Sequence, residues 1–105
     1  MFKNYKKIKQ LINGKRYNLL IADTKAKKIK GLSGIKKLPK YWGMIFPYPE
    51  AVNNRTFTMK GVCFPLMIIF LDNKMNIVYQ EKAFPKQRNA VICKKPSAYV
   101  IEIPC

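Results

Sequence analysis

The first two elements of the chain are predicted by alternating apolar and polar residues. Residues 5–12 and 15–22 each have the alternation of a strand with one buried face, and Asn13-Gly14 lies between them. This dipeptide readily adopts the positive φ angles of a type I′ turn, which joins two antiparallel strands. The pattern therefore predicts a β-hairpin with Asn13-Gly14 at its tip and every second residue of the second strand facing the core.

A short helix is predicted to follow the hairpin and to end near Lys30. Asp23 and Thr24 have the short polar side chains that cap the first turn of a helix. The spacing places Ala26, Ile29 and Gly31-Leu32 on the side that faces the core. The lysines of this segment are then expected to point toward solvent, and they are Lys25, Lys27, Lys28 and Lys30.

The rest of the chain is predicted to form strands separated by turns. The apolar run 62–71 is too short to span a membrane and is rich in β-branched and aromatic residues, which favours a central strand covered on both faces. Residues 31–41 are predicted to be irregular and residues 84–95 to form a basic loop. The other expected strands are a short one that begins at 44–46 and is cut short by Pro47 and Pro49, followed by 55–59, 76–81 and 99–103.

Size and composition are those of one folded domain. The chain has 105 residues, 49% of them hydrophobic, which is enough for one core. We therefore expect a single domain over residues 1–105, with a mainly β (β-rich α+β) fold. The N-terminus leads into no apolar signal core, and no apolar run approaches the ~18 residues of a membrane helix. The expected location is the cytoplasm or the interior of a virion or other intracellular particle, without secretion by a signal peptide.

Positive charge is the outlying property of the composition. The chain has 21 Lys and Arg against five Asp and Glu, a formal net charge of +16. Such a field attracts polyanions, which include nucleic acid, an anionic membrane and an acidic protein surface. Only three of the basic residues are arginines, the side chains that read base edges through two parallel hydrogen bonds. The composition therefore argues against sequence-specific DNA recognition, and a solvated surface without a partner is the alternative.

Residues for acid–base and metal chemistry are scarce. The chain has no histidine, and its five acidic residues are dispersed, so neither the common general base nor a carboxylate pair is evident. Its three cysteines are widely spaced and form no C-x-x-C motif. We expect buried thiols at Cys63 and Cys93, an exposed Cys105 and a structural place for Glu102 on the closing strand. No catalytic residue, metal or cofactor is predicted.

The order of short motifs along the chain resembles the family designated domain of unknown function 192. The matching pieces are Ile21 to Thr24, Lys30-Gly31-Leu32, Leu38-Pro39, Gly43 to Phe46, Met59-Lys60, Phe64-Pro65-Leu66, Ile68 to Phe70, Asp72 and Tyr99 to Ile103. The resemblance implies a compact, mostly antiparallel, β-barrel-like fold with one short helix. It implies no established reaction, because the family has no agreed activity.

Four positions depart from the pattern of that family, three of them in place of its arginine, asparagine and aspartate, and make the chain a divergent member. Where the family has an arginine after its Gly-Leu, this chain has Ile35. Where it has Asn-Thr after Met-Lys, this chain has Gly61 and Val62, and the aspartate after Pro-Leu is replaced by Met67. The glycine-containing tail of the family is also missing. The comparison implies that a polar cluster of the family is lost here.

These observations lead to one main hypothesis and two alternatives. The main hypothesis is a non-enzymatic structural or interaction module, a cationic accessory component with protein partners in a larger assembly such as a virion or ribonucleoprotein particle. The alternatives are a small enzyme or ligand-binding protein, and a non-specific nucleic-acid-binding protein. The residues expected to contact a polyanion or partner are Lys25, Lys27, Lys28, Lys30, Lys86, Arg88, Lys94 and Lys95.

Overall fold

A computed structural model describes residues 2–105, so that Met1 of the predicted domain lies outside the described range. In that range the elements are β1 (Lys7–Ile12), β2 (Lys15–Ile21), α1 (Lys25–Lys30), β3 (Trp42–Val52), β4 (Arg55–Phe57), β5 (Leu66–Leu71), β6 (Ile77–Ala83), β7 (Val91–Cys93) and β8 (Ser97–Pro104). Strand is the dominant content, and α1 is the only helix among these residues. The prediction of a mainly β fold with one short helix is therefore confirmed.

Six of the eight described strands form one mixed sheet in the order β1-β2-β3-β8-β5-β6. Only β2 and β3 pair in parallel, because the chain between them crosses over through α1. The other neighbours pair antiparallel. The sheet does not close into a barrel, since β1 and β6 remain as separate edges. The remaining strands, β4 and β7, form a small antiparallel sheet of their own.

Both predicted hairpins are present, with turns that local chemistry explains. Asn13 and Gly14 have φ angles of 49° and 82°, and Ile12 pairs with Lys15 across them. In the second hairpin, which joins β5 to β6, the Asp72 carboxylate accepts hydrogen bonds from the backbone N–H groups of Lys74 and Asn76, each at 2.9 Å. These bonds close the turn and lower the pKa of Asp72.

Strand β5 is buried on both faces, as predicted from its apolar run. Ile68, Ile69 and Phe70 are each no more than 1% exposed. Alternate residues belong to two cores on opposite faces of the sheet, with Ile68 and Phe70 in the first and Ile69 in the second. Strand β8 lies between β3 and β5 and divides its side chains in the same way, with Val100 in the first core and Ile101 in the second. Because both faces of these strands are covered, nearly all of their residues are apolar.

The prediction that Pro47 and Pro49 end their strand is wrong. Strand β3 continues through both prolines to Val52. Beyond Ile45 it no longer pairs with β2, and β8 alone provides a partner. A proline has no N–H to donate, but on a strand with one free side its ring removes no required ladder hydrogen bond.

The predicted orientation of α1 is also wrong, although its start is confirmed. Thr24 caps the helix, and its hydroxyl oxygen accepts a hydrogen bond from the Lys27 N–H at 3.1 Å. Ile29, expected in the core, is 76% exposed, and Ala26 is exposed as well. Leu32, just after the helix and also expected to face the core, is buried. The side of α1 nearest the sheet carries lysine stems, as described below.

Two further predictions fail in the segment that pairs β4 with β7. The expected strand 55–59 is shorter, and the expected basic loop 84–95 contains β7. Val91 and Cys93 are buried while Ile92 between them is 47% exposed, a period of two that the surrounding basic residues obscure in the sequence. Cys93 and Cys105 have the expected burial and exposure, but Cys63 is exposed. Within residues 2–105, no helix combines the length and the apolar character that crossing a bilayer requires.

Candidate functional site

A groove lies beside α1 and continues toward the loop that precedes β7. It consists of two adjacent cavities, a larger one of about 620 Å³ and a smaller one of about 190 Å³. Thr58, Lys60 and Val62 line both cavities, so that the two share this stretch of wall. We call the two cavities together the basic groove, after the five basic residues that line them, which are Lys28, Lys30, Lys60, Lys86 and Arg88.

The basic groove unites parts of the two lysine-rich segments singled out in the sequence. Lys28 and Lys30 come from α1 and line the smaller cavity, whereas Lys86 and Arg88 come from the segment before β7 and line the larger one. Lys60, which the sequence analysis did not identify, lines both. Its position follows from the packing of β4 against β7, which are far apart in sequence, so no local pattern could have revealed it.

The other four predicted contact residues lie outside the basic groove. Lys27 is half-buried, and its Nζ lies 3.5 Å from the Asp23 carboxylate and 4.9 Å from the centre of the Tyr5 ring. Lys25 is exposed on α1, and Lys94 and Lys95 are exposed between β7 and β8. The structure therefore separates the eight predicted residues into four that share a groove and four that do not.

No carboxylate neutralises the basic groove. Among residues 2–105, the pair between Lys27 and Asp23 is the only salt bridge within 4.0 Å. The five basic residues of the groove thus have no acidic partner at that distance. Since cavity walls of low dielectric concentrate the field of like charges, the groove is a region of positive potential.

Tyr48 on β3 forms part of the wall of the smaller cavity and is held by two cations. The Lys28 Nζ lies 4.7 Å from the centre of its ring, a distance at which a cation is attracted to the ring face. The guanidinium group of Arg55, at the start of β4, contacts the same ring. Burial raises the pKa of Tyr48, and the nearby Arg55 opposes that effect. Tyr48 is therefore a neutral wall residue that orients the Lys28 stem over the sheet.

Glu102 lies at the floor of the smaller cavity and is 3% exposed. It belongs to β8, between Met44 of β3 and Ile68 of β5, on the face of the first core. Burial raises its pKa from the usual 4.5 to about 8, and no hydrogen bond from another residue of 2–105 opposes that rise. At neutral pH the group is therefore a carboxylic acid with a proton to donate.

The sequence analysis placed Glu102 on the closing strand but did not predict its burial. A signal was present, because Glu102 is two residues after Val100 and must share its face of the strand. Recognising that this face is covered requires knowing that β8 lies inside the sheet. Because the order of strands cannot be inferred from neighbouring residues, Glu102 was expected to have only a structural place on its strand.

Of the three positions at which the arginine, asparagine or aspartate of the family is replaced, Ile35 and Gly61 lie in neighbouring segments and Met67 lies apart from both. Ile35 is 7% exposed and packs in the first core, whereas Met67 is half-buried against the second core on the opposite face. Gly61 lines the larger cavity with a φ of 74°, and its carbonyl oxygen accepts the Gly34 N–H at 2.9 Å. A Cβ at Gly61 would press on Ser33, so a close contact also favours glycine there.

Metal ligands and nucleophiles are not brought together within residues 2–105. No group of three or more His, Cys, Asp or Glu side chains converges there. Cys93 is buried, and its thiol donates to the Lys95 carbonyl oxygen at 3.4 Å. Asp72, whose carboxylate accepts hydrogen bonds in the turn after β5, does not line either cavity of the groove. What the groove can do chemically is attract negative charge and donate hydrogen bonds.

Fold and groove define a small open-sheet domain with a cationic depression over a buried acid. The chain belongs to the family designated domain of unknown function 192 (DUF192), described as an uncharacterised ACR, which it matches over residues 8–105. No curated protein matches the sequence significantly.

Two solved structures are similar to this fold. One is a protein of unknown function from Novosphingobium aromaticivorans DSM 12444, with a TM-score of 0.79 and 26% identity over 95% of this chain and 73% of the other. The second, from Sinorhizobium meliloti 1021, is provisionally described as a transcription regulator. It has a TM-score of 0.80 and 23% identity over 96% of this chain and 82% of the other. At that identity the second likeness shows the fold alone.

Proposed function

We propose that this protein is a non-enzymatic interaction module that docks onto a polyanionic partner through the basic groove. It acts as a cationic accessory component of a larger assembly, for which a virion or a ribonucleoprotein particle is a suitable setting. One observation carries the proposal: Lys28 and Lys30 from one segment and Lys86 and Arg88 from another meet at Lys60 with no carboxylate to neutralise them.

The groups in the groove favour binding over catalysis. General acid–base chemistry usually needs a histidine or two acids with different pKa values. The chain has no histidine, and Glu102 is the only carboxyl group that lines either cavity of the groove among the described residues. Four of the five cations are lysines, which recognise the charge of a phosphate or carboxylate without reading its surroundings. The partner is therefore recognised by charge density.

Salt dependence of binding measures how many of these cations act together. Each phosphate that a cation neutralises on duplex DNA contributes about −0.9 to the slope of log affinity against log salt. Full use of the five groove residues would therefore give a slope of roughly −4.5. A slope well beyond that value would show that cations outside the groove also take part.

The test compares two triple variants of equal net charge. In the groove variant, Lys28, Lys60 and Lys86 are changed to Gln, and in the control variant the exposed Lys9, Lys74 and Lys94 are changed to Gln. Binding to a short duplex DNA and to polyglutamate is measured as a function of salt. The groove variant is expected to reduce the duplex slope by about 2.7, whereas the control variant should leave it nearly unchanged.

The two ligands decide which kind of polyanion the groove prefers. Stronger binding to polyglutamate at equal charge supports an acidic protein partner, and stronger binding to the duplex supports a nucleic-acid partner. Equal losses in both triple variants would contradict the proposal, because the charge would then act from the whole surface and not from the groove.

A further inference from the structure

The smaller cavity has a polar group at its floor that the protein itself does not satisfy. Glu102 is 3% exposed, and what remains accessible of it faces this cavity of about 190 Å³. Burial is the one cause of its raised pKa, and no hydrogen bond within residues 2–105 contributes. Buried polar groups in folded proteins are almost always hydrogen-bonded to protein, water or ligand. The Glu102 carboxyl group is therefore left to hydrogen-bond to whatever occupies the cavity, water or a ligand.

The charged groups that surround Glu102 are cations. Lys28 and Lys30 of α1 and Lys60 after β4 line the same cavity. Behind them, Arg55 contacts the Tyr48 ring of the cavity wall, and Tyr48 itself is uncharged at neutral pH because burial raises its pKa. No other carboxyl group lines the cavity among the described residues.

The remaining walls supply hydroxyl groups and apolar surface. Thr58 contributes a hydroxyl group that can donate a hydrogen bond, whereas that of Thr56 already donates to the Asn54 carbonyl oxygen at 3.0 Å, and Phe46, Phe57 and Leu32 contribute the apolar part. On the β5 side of Glu102 the paired residue is Ile68, which carries no charge. The Lys30 ammonium group lies 3.5 Å from the Ser33 carbonyl oxygen, so the charges that would repel a cation here and attract an anion are those of Lys28 and Lys60.

The size of the cavity suits a single compact group. At ~30 Å³ per water molecule it has room for about six waters, which is comparable to a tetrahedral or planar oxyanion with part of its hydration shell. Sites for drug-sized ligands are larger, at roughly 300–1,000 Å³. The occupant is therefore a small anion or one anionic group of a larger molecule.

We propose that the smaller cavity is an oxyanion subsite, in which the carboxylic acid of Glu102 donates a hydrogen bond to a sulfate, phosphate or carboxylate oxygen held by Lys28 and Lys60. One proton is then shared between two oxygens that could not lie together if both were ionised. The inference rests on the proposed function in that it assigns a defined group of the polyanionic partner, or a free oxyanion, to this part of the basic groove.

The first test is an NMR titration with sulfate and with acetate, in chloride buffers of matched ionic strength. The amides of Gly31 and Thr58 report on the cavity, and that of Gly14 at the hairpin tip is the remote control. At about pH 6 we expect saturable shifts at the cavity amides only. At about pH 9, where Glu102 is ionised and repels the anion, we expect affinity to fall at least tenfold. Shifts shared equally by Gly14 would overturn the proposal.

The variant Glu102→Gln tests whether the side chain at this position binds the anion as a hydrogen-bond donor. Glutamine keeps a neutral hydrogen-bond donor and cannot ionise, so sulfate should bind it with similar affinity at about pH 6 and about pH 9. Loss of sulfate binding at about pH 6, in a variant whose spectrum shows the native fold, would overturn the proposal.

A second measurement needs no variant. The carboxyl ¹³C signal of Glu102 is followed against pH in the wild-type protein with and without sulfate. Sulfate should move the titration midpoint upward from about 8, because the bound anion favours the protonated form. An unchanged midpoint, or one moved downward, would show that the group does not donate to the anion.

Failure of this inference can be told apart from failure of the proposed function. If sulfate binds the cavity while duplex DNA and polyglutamate do not bind, the subsite is supported and the docking role is refuted. If the polyanions bind and Glu102 is unaffected, the docking role is supported and the subsite is refuted. If the partner occupies the subsite, sulfate competes with it and Glu102→Gln removes the pH dependence of its binding. If a free oxyanion is the occupant, Glu102→Gln leaves the pH dependence of partner binding unchanged.

Discussion

The guanidinium carbon of Arg55 lies 3.7 Å from the centre of the Tyr48 ring. The same group donates hydrogen bonds from Nε and Nη2 to the Ser97 carbonyl oxygen, at 3.2 and 2.9 Å, and from Nη2 to the Glu50 carbonyl oxygen at 3.0 Å. Arg55 thus joins the start of β4 to the end of β3 and the start of β8. In doing so it fixes one wall of the basic groove without offering its own charge to a ligand.

Replacing Arg55 by lysine should destabilise the protein, because an ammonium group cannot stack on Tyr48 and make these forked hydrogen bonds together. We expect a loss of about 2 kcal/mol in the free energy of unfolding, measured by urea denaturation. Arg16→Lys on the exposed surface of β2 is the control and should change stability by less than about 0.5 kcal/mol. Equal effects of the two variants would show that the contacts of Arg55 contribute nothing.

The raised pKa of Glu102 predicts that stability falls as pH increases. The unfolded chain loses the proton near 4.5 and the folded protein near 8, so that between these values the folded state binds more protons than the unfolded state. The free energy of unfolding should therefore decrease over that window, by an amount on the order of 5 kcal/mol in total.

Glu102→Gln removes this dependence, so its stability relative to the wild type should increase steadily from about pH 5 to about pH 8. The comparison is made by urea denaturation in buffers without oxyanions, with the exposed Glu50→Gln as the control. A Glu102→Gln profile parallel to that of the wild type would refute the raised pKa.

The buried hydroxyl group of Ser97 leads us to predict that Ser97→Ala stabilises the protein. The Ser97 side chain is fully buried, and its hydroxyl oxygen has no hydrogen-bond partner within the described residues. Ser97→Ala should therefore raise the free energy of unfolding by about 1 kcal/mol. The matched control is Ser33→Ala, which removes a hydrogen bond of 2.7 Å from Ser33 Oγ to the Lys30 carbonyl oxygen and should lower stability by a similar amount. The same sign in both variants would contradict this reading.

Gly43 lies on β3 against the backbone of β8. A Cβ there would overlap the Glu102 carbonyl oxygen and the side chain of Ile103, although the backbone of Gly43 is not in the left-handed region. Gly43→Ala should destabilise the protein by about 1–3 kcal/mol through this overlap. Gly14→Ala, which has open space but a φ of 82°, should cost about 1 kcal/mol in thermal unfolding experiments. A neutral Gly43→Ala would mean that the two strands separate easily.

The features that the sequence predicted correctly are those that depend on neighbours along the chain. Asn13-Gly14 determines its turn through its own φ angles, and Thr24 caps α1 through a residue three positions later. The run around Ile69 is apolar on both faces, which indicates a covered strand whatever its partners are.

The features that could not be predicted depend on which elements meet. Pro47 is tolerated because one side of β3 is unpaired beyond Ile45, a fact of sheet order. Ile29 is exposed because Leu32 enters the core and aromatic rings attract the lysines of α1. The burial of Glu102 likewise depends on β8 lying inside the sheet, so no local pattern could predict the floor of the groove.

The open sheet bears on how copies of the protein behave toward one another. An edge strand exposes N–H and C=O groups that can hydrogen-bond to a strand from another molecule. On β6 Glu81 offsets Lys82, but Lys7 and Lys9 give the β1 edge a positive charge, so that the β1 edges of two copies repel. A polyanion that covers these lysines cancels the repulsion. The charge that recruits a partner therefore also sets the conditions under which the protein begins to associate edge to edge.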